Sequence, residues 1–461
     1  MQENKGITSI PMNIKRLLHL DNHMREVLAG ASYSLIFQII GTTLGFIVSI
    51  VIARIVGTTG SGAYYLSLSL AAIASTFSRI GLDNSIVRYI SSYAYQKNWE
   101  TILEIYLVAV KIVAGLSIII ALTIASLSEF IAVNIFHNPH LEIPILLSSI
   151  SIVPLSLSAV HSEALRAIKK ISFSQLINST LVPAIMLILI YPFIVSWASA
   201  GAVACYGAST LVMLVISVVL WRVSHNAKKE SSEKKDHLEM LDRKDLQLRI
   251  SKTAWPLYGI AITSIIIQHL ATLLLGVWGT VEEVGIFTVA NRLCGLMLFP
   301  LIAMVTILAP KFSEMHHMNK IEELAMLSRK SARLLTIMII PISLFMGIMA
   351  ELVLSLFGQE FEQGGWILRI LLVGVVINTS TGGVSELLVM SGNEADCRNI
   401  NIIGALMLAL LCYWLIPLYG GIGAAASVAV SVSVKNILMM IMVKKRLDFL
   451  PIMSLCKQVK E

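Results

Sequence analysis

Twelve apolar stretches, each long enough to cross a bilayer, take up most of this 461-residue chain. They lie near 28–53, 62–83, 104–126, 141–166, 173–192, 199–221, 252–276, 283–309, 331–350, 366–389, 399–417 and 421–443. A helix rises ~1.5 Å per residue, so roughly 20 apolar residues cross the ~30 Å hydrocarbon layer. Barrel strands would alternate apolar and polar residues over short runs, and these stretches do not. The expected fold is therefore an all-α integral membrane protein, with too little chain between spans for a soluble catalytic domain. The composition agrees: 14% of residues are charged, against about 25% in soluble domains. Small residues inside the spans, as in Gly41-Thr42-Thr43-Leu44-Gly45, predict closely packed helices.

Basic residues fall in every second loop. Lys5, Lys15, Arg16 and Arg25 precede the first span; Arg88 and Lys97 follow the second; Arg166, Lys169 and Lys170 follow the fourth. A run from Arg222 to Lys252 follows the sixth, Lys311, Lys320, Arg329 and Lys330 the eighth, Arg398 the tenth, and Lys444, Lys445 and Arg446 the last. The alternate loops hold Glu129, His137, Glu282, Glu283, Glu351, Glu360 and Glu362. The positive-inside rule then places both termini in the cytoplasm. The net charge of +7 is a topology signal, with no nucleic-acid footprint in it. The first 27 residues lack a secretory-signal pattern, and Met12–Met24 is expected to lie as a helix on the inner membrane surface. The five cysteines show neither a disulfide framework nor metal-ligand spacing, and no cofactor is implied.

Sliding the chain along itself until Gly57-Thr58 falls on Gly279-Thr280 also places Tyr64-Tyr65 on Ile286-Phe287, and Gly201-Ala202-Val203-Ala204 on Gly423-Ala424-Ala425-Ala426. The same shift superimposes six spans on six. An even number makes the halves parallel, giving two six-helix lobes around a central cavity, as in transporters that open a site alternately to each side. The expected divisions are a cytoplasmic segment at 1–27, a lobe at 28–221, a linker at 222–251, a lobe at 252–443 and a cytoplasmic tail at 444–461.

The stretch Ile52-Ala53-Arg54-Ile55-Val56-Gly57-Thr58-Thr59-Gly60-Ser61-Gly62-Ala63-Tyr64-Tyr65, with Gly81-Leu82 and Val87-Arg88-Tyr89, resembles the opening of polysaccharide-export flippases. So does Val284-Gly285-Ile286-Phe287-Thr288-Val289-Ala290-Asn291-Arg292, running on to Leu298-Phe299-Pro300-Leu301-Ile302 and Ala309-Pro310-Lys311-Phe312. These flippases belong to the multidrug, oligosaccharidyl-lipid and polysaccharide exporter superfamily. The resemblance implies a non-enzymatic flippase, moving a polyprenyl-diphosphate-linked oligosaccharide to the outer leaflet of a bacterial cytoplasmic (inner) membrane. O-antigen, capsule and exopolysaccharide units are the implied cargo classes, and membrane lipids, a polysaccharide polymerase and glycosyltransferases the implied partners. It also implies a cavity lined by the first two helices of each lobe.

A charge at the bilayer centre costs about 2.5–3.5 kcal/mol on insertion scales, so ionisable residues inside spans are the leading site candidates. Arg292 lies nine residues beyond Glu283, hence ~13 Å into its span. It is expected to contact the cargo diphosphate with bidentate guanidinium bonds, against a buried carboxylate pair or helix carbonyls as the structural alternative. Lys111 and Lys435 are expected to be buried nearer the cytoplasmic side, as cargo contacts or as stems reaching headgroups. Arg79 and Asp83, four apart, predict a local ion pair, with cargo entry as the alternative for Arg79. Asp83, His161, Glu163, His269 and Glu386 are the candidates for proton coupling, weighed against helix-packing hydrogen bonds. Arg54 and Arg369 are expected to anchor in the outer interface, and Arg88 and Arg166 in the inner one. Pro154, Pro183, Pro256, Pro300 and Pro341 interrupt helical hydrogen bonding inside spans.

No Gly-rich loop ends in Gly-Lys-Ser or Gly-Lys-Thr, so the drive would come from an ion gradient, the membrane potential or product removal. A cation-coupled multidrug exporter would need an aromatic, acidic pocket, whereas the buried charges here are chiefly basic. A membrane-embedded polymerase or ligase would need long polar outer loops, and these are short.

Overall fold

The computed structural model describes residues 22–230 and 243–451. Lipid offers no hydrogen bonds to the backbone, so a spanning chain must satisfy its own N–H and C=O groups; among the described residues the chain is helical and has no strand. The first half comprises α1 (Asn22–Arg79), α2 (Leu82–Tyr95), α3 (Trp99–Ser126), the short α4 (Ser128–Phe130), α5 (Glu142–Ser149), α6 (Ile152–Ala167), α7 (Ile171–Gln175) and α8 (Leu181–Glu230). The second comprises α9 (Arg243–Trp278), α10 (Val281–Leu296), α11 (Phe299–His317), α12 (Ile321–Ile348), α13 (Ala350–Ser355), α14 (Gly365–Ser380), α15 (Val384–Met390) and α16 (Glu394–Leu447).

By length and apolarity nine of the described helical segments can cross a membrane, and the pair α10–α11, bent by 44°, makes a tenth. Two of them are too long for one crossing. The 46 residues of Ser34–Arg79 and the 54 of Glu394–Leu447 would extend ~70 and ~80 Å if straight. Each contains a glycine outside the helical region, Gly57 (φ 69°) and Gly420 (φ 53°), a backbone state glycine adopts without steric cost. The chain doubles back at both. Gly45 faces Pro183, and the Tyr64 hydroxyl reaches Met186 Sδ at 3.7 Å; Pro183 and Met186 are one turn apart, whereas Gly45 and Tyr64 on a straight helix would stand ~28 Å apart. Likewise Ser431 donates to the Gly404 carbonyl at 2.8 Å, and Arg446 pairs with Asp396 at 2.7 Å. Dividing both helices at their glycines yields the twelve legs expected from the apolar runs; length and composition alone do not.

The helices run on into the expected linker, α8 to Glu230 and α9 from Arg243; residues 231–242 lie outside the described residues. So do residues 12–21 of the expected surface helix, and Cys456. The prolines explain part of the helix breaks. Pro154 and Pro300 stand in the first turn after a break, and Pro183 follows the π-helical turn Leu176–Thr180. The breaks at Ile80–Gly81 (φ 47° and 70°) and Gly382–Gly383 (φ 70° and 77°) have no proline and were not anticipated.

Burial shows how the halves meet. One hydrophobic core, including Ile52, Leu66, Leu275 and Phe287, runs through both halves at the end carrying the acidic loops. At the opposite, basic end each half has its own core, around Ile102 and Leu165 in the first and Phe312 and Leu388 in the second. The shared core thus lies at the acidic end, while at the basic end the two cores are separate and the halves meet through α9, which packs on α2 and sets Tyr258 edge-on to Phe77 at 6.3 Å.

Candidate functional site

The joint is built from the glycines of the second and eighth spans. A Cβ on Gly62 would collide with the Val281 carbonyl, and one on Gly285 with the Thr58 carbonyl. Helix α1 therefore approaches α10 at backbone distance. Around this crossing, Arg54 Nε donates to the Leu356 carbonyl at 2.8 Å, and the Thr58 amide and hydroxyl donate to Glu360 at 3.2 and 3.1 Å. Phe46 meets Phe357 edge-on at 5.3 Å. In α10, the Thr280 hydroxyl accepts from the Glu283 amide while Glu283 accepts from the Thr280 amide, both at 3.2 Å, which fixes the helix start. Arg54 is thus a bond between the halves as well as an exposed group at a helix end.

Arg292 sits below this seal, just before the last turn of α10. It is half-buried. Nη1 donates to Ser49 Oγ at 2.5 Å, and the guanidinium lies 4.7 Å from the centre of the Tyr65 ring. Both partners belong to the other half. Neither structural alternative expected for Arg292 is realised, since its partners among the described residues are a neutral hydroxyl and a ring. One of five N–H groups is engaged, so the charge and most of the donor fork remain available. His269 makes the related cross-half bond, Nδ1 to Ser69 Oγ at 2.9 Å. The reciprocal contacts of Gly62 with Val281 and of Gly285 with Thr58 make Thr58 equivalent to Val281, where the sequence repeat puts it on Thr280. The register of the second and eighth spans is thus one position longer than the repeat suggests, and on it Ser69 is equivalent to Arg292. The hydroxyl of Tyr65, whose ring meets Arg292, is buried with no hydrogen-bond partner among the described residues, as is that of Ser61 one turn earlier in α1.

The other candidates do not converge on this point. Arg79 pairs with Asp83 at 3.0 Å, as expected, and also donates to Thr76 Oγ1 at 2.7 Å. The pair bridges the break at Ile80–Gly81 instead of lying along one continuous helix. Glu163 pairs with Arg166 at 2.5 Å, beside the same break, so Arg166 is an ion-pair member and not solely an interfacial anchor. His161 is buried against Ser217 Oγ at 3.0 Å and the Tyr106 ring at 5.7 Å, a packing arrangement. Glu386 accepts from Ser385 at 2.6 Å. Lys435 is half-buried with its stem along Gly404. Lys111 was expected to be buried, but α3 turns it outward and it is exposed. Arg369 pairs with Glu351 at 2.8 Å and donates to the Gly347 carbonyl at 3.0 Å. The Glu351 carboxyl is held below its ordinary range by its own backbone N–H and by Arg369.

Sequence reasoning missed Ser49, Tyr65, Ser69 and Glu360. On the corrected register Tyr65 and Ser69 are equivalent to Thr288 and Arg292, a signal visible once that register is known.

The geometry has counterparts among solved structures. Lipid II flippase MurJ in an inward closed conformation superposes with a TM-score of 0.67 at 14% identity, covering 89% of this chain and 87% of that one. A MOP superfamily transporter from Pyrococcus furiosus gives 0.64 at 14% identity over 94% and 99%. The Vibrio cholerae MATE transporter VcmN in its bent form gives 0.59 at 17% identity over 92% and 97%. These likenesses establish a shared fold, that of MOP superfamily transporters. A search of curated proteins returned no match. Residues 27–316 match the family model described as polysaccharide biosynthesis protein, and the chain belongs to that family.

Proposed function

We propose that the protein is a flippase, carrying a polyprenyl-diphosphate-linked oligosaccharide from the inner to the outer leaflet of a bacterial cytoplasmic membrane by alternating access. The observation that carries this reading is Arg292, a half-buried guanidinium at the seam with no carboxylate partner among the described residues. Such a group offers a diphosphate bidentate bonds where water is scarce and repels a cationic drug. Family membership and the MurJ-like fold support cargo of this class. The lobes are taken as 28–221 and 252–443, with both termini cytoplasmic; polymerase and glycosyltransferases would act downstream and upstream of the flip.

Arg292→Ala should abolish export at normal membrane levels, with lipid-linked precursor accumulating on the cytoplasmic side, while Arg292→Lys keeps partial activity because charge survives without the fork. Normal export by Arg292→Ala would remove the cargo-contact role. Orientation is tested separately by reporters, read as external after Asn138 and Glu282 and as cytoplasmic after Lys320 and Lys445.

A further inference from the structure

Helices α3 and α12 are copies of one element. Each has 28 residues, and their first residues, Trp99 and Ile321, coincide under the shift that lays Gly57 on Gly279. Their outward faces coincide as well: Ile118 and Ile340 are 47% and 48% exposed, and Leu122 and Leu344 are 64% and 63% exposed. The thirteenth residue of each is a cation, Lys111 and Arg333, and both are exposed on this apolar face. Neither has a hydrogen-bond or ion-pair partner among the described residues, whereas Arg79, Arg166, Arg369 and Arg446 each hold a carboxylate.

Their depth is also the same. Glu129 and Glu351, both exposed at the acidic end, stand eighteen residues beyond Lys111 and Arg333, or ~27 Å along a helix. A ~30 Å hydrocarbon layer beginning just below those carboxylates ends close to the two cations. Long basic stems at that depth lie along the apolar surface and place their charge among headgroups.

We propose that Lys111 and Arg333 form a pair of phosphate anchors, one per lobe, for anionic glycerophospholipid in the leaflet at the basic end. The occupant is bulk phospholipid and not the transported carrier. α3 packs on α1, α2, α5 and α6, and α12 on α11, α13 and α14; neither contributes to the packing between the lobes. Two equivalent outward sites match an abundant lipid, whereas a single cargo is handled between the lobes. The proposal is independent of what the protein transports.

The test uses full-length protein in nanodiscs of phosphatidylcholine with a minor fraction of phosphatidylglycerol, counting retained phosphatidylglycerol by native mass spectrometry. The wild type should enrich the anionic lipid. Lys111→Gln with Arg333→Gln should lose that enrichment, about fivefold per cation, at unchanged thermal stability in pure phosphatidylcholine. Lys111→Arg with Arg333→Lys should keep it. Wild-type enrichment in the double Gln variant overturns the proposal, as does its unfolding in pure phosphatidylcholine, which would make the cations part of the fold. Displacement of phosphatidylglycerol by an equal fraction of polyprenyl phosphate would overturn the assignment to phospholipid.

Discussion

Gly62 and Gly285 are pressed against each other's helices in the same way, each facing a carbonyl that a Cβ would strike. The two carbonyls, of Thr58 and Val281, each stand four positions before the glycine of their own helix, so the contact maps onto itself under the internal repeat. That is the geometry of a pseudo-twofold axis passing through the crossing, along the membrane normal.

Because the obstructing atoms are backbone, no rotamer change can make room. Gly62→Val or Gly285→Val should therefore hold the acidic end apart while leaving each lobe's own packing intact. In a cysteine-free background, disulfide trapping between cysteines at positions 54 and 356 should fall several-fold in either variant. Undiminished trapping would show that the seal does not depend on this crossing.

The ion pair of Arg79 and Asp83 spans a helix break that contains a non-glycine residue at positive φ, Ile80. That backbone state costs of order 1–3 kcal/mol and persists where its surroundings hold it. The two side chains are 20% and 9% exposed, so the pair is screened less than a surface bridge. Asp83→Asn should lower stability by about 1–3 kcal/mol, measured by thermal unfolding in detergent. Combining it with Arg79→Gln should recover part of the loss, since the uncompensated guanidinium is gone; strict additivity would mean the pair does not couple.

How far these features were legible depends on what distinguishes them in one dimension. Apolar runs gave the spans, and the four-residue spacing gave the Arg79–Asp83 pair. Arg292 stood out because its depth follows from counting. Glycines were ambiguous: Gly41, Gly62 and Gly285 allow close helix approach, while Gly57, Gly81, Gly382 and Gly420 change the chain direction or break a helix, and nothing local separates the two uses. Lys111 was misplaced for a related reason. A span apolar on every side has no polar face to mark lipid from interior, so its orientation is decided by partners far away in sequence.

His161 was a candidate for carrying protons, and its surroundings argue for packing. Its ring is shut between α3 and α8, bonded to Ser217 and tilted against the Tyr106 ring. His161→Gln should cost about 0.5–1.5 kcal/mol of stability from the altered hydrogen bond and leave the pH profile of transport unmoved. A shift in that profile at matched expression would return His161 to the coupling path.

The bond from Arg292 to Ser49 separates two roles that Arg292 alone cannot. If the guanidinium serves chiefly to latch the lobes, Ser49→Ala removes the latch and should impair export as Arg292→Ala does. If it serves the cargo, Ser49→Ala frees a further N–H for the phosphate oxygens and leaves the Tyr65 ring contact in place. A neutral hydroxyl bond to a charged group is worth about 1.5–3 kcal/mol when buried, and less at this half-buried position. Export by Ser49→Ala is therefore expected to stay within a few-fold of wild type while Arg292→Ala loses it, measured as surface polysaccharide at equal membrane abundance. Equal losses in the two variants would assign Arg292 to the seam and not to the cargo.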